Sequence, residues 1–119
     1  MRTIIAGGRD FNDYELLAGE VEHFEENHSK SYLTVVCGKA RGADALGEQW
    51  AKEEGRKVIS FPADWDTHGK SAGYIRNSEM ADEAEALIAF WDGKSKGTKN
   101  MIDIALRRGL LVKVVRYGN

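Results

Sequence analysis

The sequence has little of three residue types that often organise a small protein: one cysteine, Cys37, one proline, Pro62, and three histidines in 119 residues. A lone cysteine forms no intramolecular disulfide and assembles no cysteine-based zinc site, which points to a reducing, intracellular setting. Long apolar runs are missing too. The longest, Ala86 to Trp91, covers about a quarter of a ~20-residue membrane span. Charge of one sign is also not in excess: 17 Lys+Arg against 19 Asp+Glu leave a formal net charge of −2. No global positive field therefore draws the chain to nucleic acid, although a local basic patch stays open. Met1-Arg2 leads into Thr3-Ile4-Ile5-Ala6 and then glycine, too short an apolar stretch for a signal-peptide core. The expectation is a cytoplasmic protein with no membrane partner.

What the chain has in surplus is glycine, 13 residues in 119, above the usual ~7%, while proline falls well below its usual ~5%. Hydrophobic residues make up 42%, ordinary for a globular protein and too many for a disordered one. The length fits one domain with one core, expected to span residues 1–119.

Five short β-rich apolar runs recur along the chain: Thr3 to Ala6, Leu33 to Cys37, Lys57 to Phe61, Ala86 to Trp91 and Leu111 to Val115. Most are apolar throughout, as in strands covered on both faces of a parallel sheet. Helical stripes lie between them. Leu16, Leu17, Val21 and Phe24 form the first, opened by an Asn12–Glu15 capping box. Ala43, Leu46, Trp50 and Ala51 form the second, closed by Gly55, and Met101, Ile102, Ala105 and Leu106 the last, closed by Gly109. Pro62 to Gly73 reads as a long polar loop, with a helix only from about Tyr74 to Glu83. The pattern predicts an α/β fold, a three-layer α/β/α Rossmann-like sandwich with a mainly parallel five-stranded sheet. Ligands of such sheets sit beyond the carboxyl ends of the strands, near the topological switch point.

Four segments fall on that rim. In Gly7-Gly8-Arg9-Asp10-Phe11 the glycines admit a ligand close to the backbone, and Arg9 either binds an anion bidentately or pairs with Asp10 or solvent. In Gly38-Lys39-Ala40-Arg41-Gly42-Ala43-Asp44, small residues, Arg41 and a helix N-terminus make an anion site, but the dinucleotide glycine spacing is missing. Asp44 either holds a hydroxyl such as a ribose's or favours the positive end of the helix dipole. In the long loop, Asp64, Asp66 and His68 alternate as metal ligands would, but three residues make an incomplete shell and turn-forming carboxylates explain them as well. Trp65 either stacks on a base or covers the domain's own core.

The fourth segment is Asp92-Gly93-Lys94-Ser95-Lys96-Gly97-Thr98. Backbone N–H groups of a glycine-rich turn, the Ser95 and Thr98 hydroxyls, two lysines and a helix N-terminus converge there on a phosphate-sized target. The glycine a P-loop needs would fall on Ile88, which excludes an ATPase P-loop. Thr98 as a plain N-cap is the simpler role. No nucleophile stands out: Cys37 reads as a small core residue, and His23 and His28 lie on or beyond an acidic helix.

Gly7-x-Arg9-x-Phe11, Gly38 to Asp44, Pro62-x-Asp64-Trp65, Gly69-x-x-Ala72-Gly73-x-x-Arg76-Asn77-x-x-Met80 and Phe90-Trp91-Asp92-Gly93-x-Ser95-x-Gly97-Thr98 together resemble the YspA and cpYpsA-related branch of the SLOG superfamily. The resemblance runs in order over nearly the whole chain. It implies a Rossmann-like domain that binds a nucleotide-derived small molecule, with ADP-ribose-like ligands proposed for the superfamily. Its relatives include the LOG enzymes, which release a base from a nucleoside monophosphate, and the DNA processing protein A family, which binds single-stranded DNA. By resemblance to the LOG enzymes, Gly97-Thr98 ends the phosphate turn, Arg76 matches an arginine of the preceding helix, and the catalytic glutamate falls on Met101. A thioether neither stabilises an oxocarbenium-like cation nor activates water. Asp44 or Asp92 would have to supply the carboxylate instead.

The sequence is therefore expected to encode a nucleotide-binding sensor or sequestering domain, with a LOG-like hydrolase as alternative. No catalytic residue, cofactor or metal is assigned. The Gly93 to Thr98 turn is expected to cradle phosphate, Arg76 and Arg9 to neutralise it, and Asp44 or Asn77 to recognise a ribose hydroxyl. Nucleic acid, through Lys94, Lys96, Lys99 and the Arg107-Arg108 pair, is the least favoured partner. Related LOG enzymes dimerise through helices flanking the site, and the aromatics here permit a homodimer. Eight of the 13 glycines (Gly7, Gly8, Gly38, Gly42, Gly69, Gly73, Gly93 and Gly97) follow the first four strands, so the surplus reads as a glycine-lined rim.

Overall fold

A computed structural model describes residues 1–118. The five apolar runs become strands β1 (Arg2–Gly7), β2 (Thr34–Cys37), β3 (Lys57–Ser60), β4 (Ala86–Trp91) and β5 (Leu111–Arg116). They form one sheet in the order β3-β2-β1-β4-β5, with every neighbouring pair parallel. The predicted α/β Rossmann-like sandwich is the observed fold. Central β1 pairs Ile4 with Val36 of β2 on one side and Leu87 of β4 on the other, and its end, Gly7, lies opposite Phe90.

Strand alternation divides the apolar residues between two cores. Ile5, Val35, Ile88 and Phe90 face one way, onto Leu17, Val21 and Phe24 of helix α1 (Tyr14–His28) and Trp50 and Ala51 of helix α2 (Ala43–Glu53). Ile4, Ala6, Val36, Leu87 and Ala89 face the other way, onto Met80 and Ala81 of helix α4 (Ala72–Glu83) and Met101, Ile102, Ile104 and Ala105 of helix α5 (Lys96–Arg107). The continuous apolar sequence of β1 and β4 thus reflects burial on both faces, whereas edge strands β3 and β5 leave several residues half-covered or exposed.

Three local readings change. The Pro62–Gly73 connection is mostly helical, with a short helix α3 (Trp65–His68) and a 3-10 turn at Gly69–Ser71 running into α4. Asp64 caps α3 by accepting the Thr67 N–H at 3.1 Å. Helix α1 is capped by Asp13, whose carboxylate accepts the Leu16 N–H at 3.1 Å, rather than by Asn12. On α5 the buried stripe includes Ile104, whereas Leu106 is 58% exposed. Gly55 and Gly109 take positive φ values of 72° and 76° just past α2 and α5, the geometry of left-handed helix ends. Among the described residues no helix is long and apolar enough to cross a membrane.

Candidate functional site

The direction of winding reverses between β1 and β4, and a crevice opens beyond the carboxyl ends of those strands. It holds a cavity of about 470 Å³ between the β1–α1 turn, the start of α5 and one face of α4. The β1–α1 turn is held by its backbone: the Gly8 N–H donates to the Phe90 carbonyl at 3.1 Å, and the Gly8 carbonyl accepts from Phe11 and Ala43, each at 3.2 Å. The Tyr117 hydroxyl donates to Asp10 at 2.7 Å from the C-terminal side. Asp10 is thus engaged away from Arg9, whose guanidinium lies 5.9 Å from the centre of the Trp65 ring. Trp65 is half-exposed at the cavity rim and covers no core.

Four buried polar side chains line this cavity: Asp44, Arg76, Asn77 and Thr98, each at most 9% exposed. Buried polar groups need partners, and these largely find one another and the backbone. Arg76 donates from Nη1 to the Gly38 carbonyl and from Nε to Asn77 Oδ1 at 3.1 Å. Asn77 donates onward to Asn100 Oδ1 at 3.0 Å and to the Gly97 carbonyl at 3.3 Å, which ties α4 to the first turn of α5. Asp44 accepts the Ala40 N–H at 3.4 Å. Burial pushes the Asp44 carboxyl up to about 6, while the positive charge of Arg76 and the Ala40 N–H act in the opposite sense. Burial likewise lowers the Arg76 guanidinium, and the Asp44 charge counters it.

The turn between β4 and α5 is built by Asp92 and Ser95. Asp92 Oδ1 accepts the N–H groups of Lys94 and Ser95, both at 2.8 Å, and these bonds hold its carboxyl below the usual range. Two N–H groups of the turn are therefore used internally. Ser95, not Thr98, is the N-cap, its hydroxyl accepting the Thr98 N–H at 3.4 Å. Thr98 Oγ1 stands 3.1 Å from Ser95 Oγ, and both residues line the cavity. The N–H groups of Lys96 and Gly97, in the first turn, have no intrahelical acceptor and carry the positive end of the helix dipole.

The structure brings Gly7, Gly8, Arg9, Asp44, Trp65, Arg76, Asn77, Ser95, Gly97 and Thr98 to this cavity. Gly38 and Arg41 line a second cavity of about 420 Å³ over the ends of β2 and β3, and Arg9, Ala40, Trp65 and Arg76 line both. Gly42, Asp64, Asp92 and Gly93 line neither. Gly42 precedes α2 at φ 72° against the Gly8 carbonyl, where no side chain fits. Gly93 takes φ 86° beside Arg116. Helical backbone across residues 65–68 turns Asp66 away from Asp64 and His68, so the alternation does not converge. Cys37 is fully buried.

Sequence reasoning did not single out Tyr74, Met80 or Asn100 for the site. Met80 and Met101, each 1% exposed, form an apolar part of the cavity wall, and Tyr74 stands at its rim. A signal was available: Gly73, Arg76, Asn77 and Met80 stand at i, i+3, i+4 and i+7, one face of a helix.

Comparison with known proteins bears on the same elements. Structurally, the chain is similar to DNA processing protein A (DprA) from Streptococcus pneumoniae, with a TM-score of 0.74 at 18% identity over 98% of this chain and 50% of that one. At that identity the likeness is one of fold, and this chain spans half the length of that protein. In sequence it is 36% identical to the Gene 61 protein of Mycobacterium phage D29, over 99% of this chain and 97% of the phage protein. Residues 1–68, which carry the β1–α1 turn, the β2–α2 loop and α3, match the YAcAr family, described as YspA, cpYpsA-related SLOG family. That match covers more than half of the chain, which belongs to the YspA, cpYpsA-related SLOG family.

Proposed function

We propose that the chain binds a phosphate-bearing nucleotide or nucleotide-derived molecule of ADP-ribose-like type, as a sensor or sequestering domain. The observation that carries this reading is the convergence of buried Asp44, Arg76, Asn77 and Thr98 on one cavity at the N-terminus of α5. Phosphate sits against the N–H groups of Lys96 and Gly97 and the Ser95 and Thr98 hydroxyls, with Arg76 and Arg9 supplying charge. Asp44 accepts a ribose hydroxyl, and the Met80–Met101 wall and Trp65 take the planar base. Calorimetric titration with ADP-ribose, NAD, AMP and cyclic dinucleotides, on wild type and on Arg76→Ala and Thr98→Val, tests it. Micromolar binding of one ligand, lost in both variants, is expected; no binding by any of them overturns the reading.

One observation favours hydrolysis as a second reading: Asp44 is a buried carboxylate in the cavity with a pKa of about 6, suited to general acid or base work. Asp92 is not suited, because its oxygen already accepts two N–H groups. Met101 stands in the wall where the family resemblance places a glutamate. The expected result is intact binding without turnover at high protein concentration. Release of free base, abolished by Asp44→Asn, would decide for the hydrolase. The fold likeness to a DNA processing protein supports a nucleic-acid reading, whose mark is an affinity that falls steeply with salt.

A further inference from the structure

The second cavity differs in character from the first. Its wall carries four cationic side chains, Arg9, Lys39, Arg41 and Arg76, and no acidic one. Lys39 is already neutralised, its ammonium 2.8 Å and 3.0 Å from the Glu48 oxygens. Arg9 and Arg41 are exposed, and among the described residues neither has a carboxylate within ion-pair distance. Arg76, 9% exposed, commits Nη1 and Nε to Gly38 and Asn77, while its Nη2 edge has no partner among the described residues. It lines both cavities, as do Arg9, Ala40 and Trp65. The two spaces are therefore neighbouring compartments of one crevice, meeting at Arg9, Trp65 and Arg76.

Each compartment, at about 470 and 420 Å³, is large enough to take a small ligand alone. Their anion-seeking groups lie apart: the start of α5 follows β4, while Arg41 follows β2, and β1 stands between them. Two strand spacings put the two positions roughly 10 Å from each other. The phosphates of a diphosphate share a bridging oxygen and do not reach across such a gap. Phosphates on opposite sides of a nucleoside lie farther apart, and the long, exposed Arg41 and Arg9 side chains close the remainder.

Resting on the nucleotide reading above, but narrowing its ligand from a diphosphate-linked molecule such as ADP-ribose, we infer that the natural ligand carries two anionic groups separated by a nucleoside, as in a dinucleotide. One group sits at the start of α5 and the other at Arg41 and Arg9, with Arg76 between them. The intervening base lies against Trp65, whose ring already faces the Arg9 guanidinium.

Titration of the full chain with AMP, ADP, the dinucleotide 5′-pApA and a hexa-adenylate tests this. The dinucleotide is expected to bind at least about tenfold tighter than AMP, with ADP within about threefold of AMP, because one added charge-assisted contact is worth about that much. Arg41→Gln, at an exposed position, reduces dinucleotide affinity to about the AMP level and leaves AMP unchanged within about twofold. If AMP binds but the dinucleotide gains nothing, or Arg41→Gln weakens both alike, the two-anion inference is overturned while the nucleotide reading stands. If none of the four binds but ADP-ribose does, the two-anion inference is overturned and the nucleotide reading stands; if ADP-ribose, NAD and cyclic dinucleotides fail as well, the nucleotide reading itself fails. A hexa-adenylate more than about tenfold tighter than the dinucleotide overturns the inference in favour of a single-stranded nucleic-acid track.

Discussion

Asp44 and Arg76 flank the space over the α-carbon of Gly38. A methyl group there would stand 2.9 Å from an Asp44 carboxylate oxygen and 2.7 Å from the Arg76 guanidinium carbon. The obstacle is the ends of two side chains, and side-chain ends can move. At Gly7 a methyl would meet the Phe90 carbonyl and lie 2.9 Å from the Ala43 β-carbon, atoms fixed by the sheet and by α2. The two substitutions should therefore separate fold from site. Gly7→Ala is expected to destabilise by about 1–3 kcal/mol, the usual range for overpacking. Gly38→Ala should cost less than about 1 kcal/mol yet weaken nucleotide binding roughly tenfold by displacing Arg76. Urea unfolding and titration on the same preparations check both, and equal stability losses would refute the distinction.

The Asp44 carboxyl supplies a pH dependence with a definite sign. Its folded pKa of about 6 lies above the ordinary 3.8. Between those values the folded protein binds more protons than the unfolded chain, so the Asp44 contribution to stability falls as pH rises from about 4 to about 6 and levels off above. The span corresponds to about 3 kcal/mol as an upper order of magnitude. The stability difference between wild type and Asp44→Asn should thus shift against wild type from pH 4 to pH 7. Other carboxylates cancel in that difference. A flat difference across the range would mean that Asp44 is ionised without penalty.

The strands were legible because burial on both faces leaves apolar runs such as Ile4-Ile5-Ala6 and Leu87-Ile88-Ala89-Phe90, and the glycine-rich connections after them pointed to the rim. Helix α3 was not legible: all four of its residues are exposed, so no apolar period existed, and the only trace was Asp64 three residues before Thr67. Asn12 and Asp13 both suit a cap, and the backbone, not the composition, chooses between them. Arg76 and Asn77 share a helix face with Gly73 and Met80, a period that marks the face but not what it meets, and family resemblance supplied their expected role. That Asp92 and Ser95 satisfy the turn they were expected to offer to a ligand depends on side-chain torsions that spacing does not encode.

Away from the site, Glu25 and Arg56 tie the end of α1 to the start of β3. The carboxylate receives Arg56 Nε at 2.8 Å and Nη2 at 2.7 Å, and also accepts the Leu33 N–H at 2.8 Å. Both side chains are nearly buried, at 13% and 10% exposure. The Arg56 bonds hold the Glu25 carboxyl below its ordinary 4.5, so its contribution is full above that value and is lost as pH falls through the lower folded value. Arg56→Ala leaves a nearly buried carboxylate without its partner and should destabilise by about 2–3 kcal/mol at pH 7. Thermal unfolding of wild type and variant at pH 7 and near pH 3 would reveal it: the gap should narrow in acid, and a constant gap would assign the loss to packing against Tyr32 and Trp50 instead.

Tyr117 acts on the site from the far end of the chain. Its ring packs edge-on against Phe11, with centroids 4.8 Å apart, and its hydroxyl donates to Asp10 at 2.7 Å. These contacts press on the turn that carries Gly8 and Arg9, and the Tyr117 N–H donates to the Trp91 carbonyl at 3.1 Å, fixing the latch to β4. Burial, then the bond to Asp10, raise the Tyr117 phenol above its ordinary 10.0, so no titration at neutral pH releases it. Tyr117→Phe keeps the ring and removes the bond, for a cost of about 1 kcal/mol. Faster hydrogen exchange should then be confined to the β1–α1 turn, with the Phe11 amide, bonded to the Gly8 carbonyl at 3.2 Å, as its reporter. Nucleotide affinity should drop about threefold, because Arg9 must be ordered on binding. Unchanged exchange at Phe11 would show that the Gly8 backbone bonds alone hold the turn.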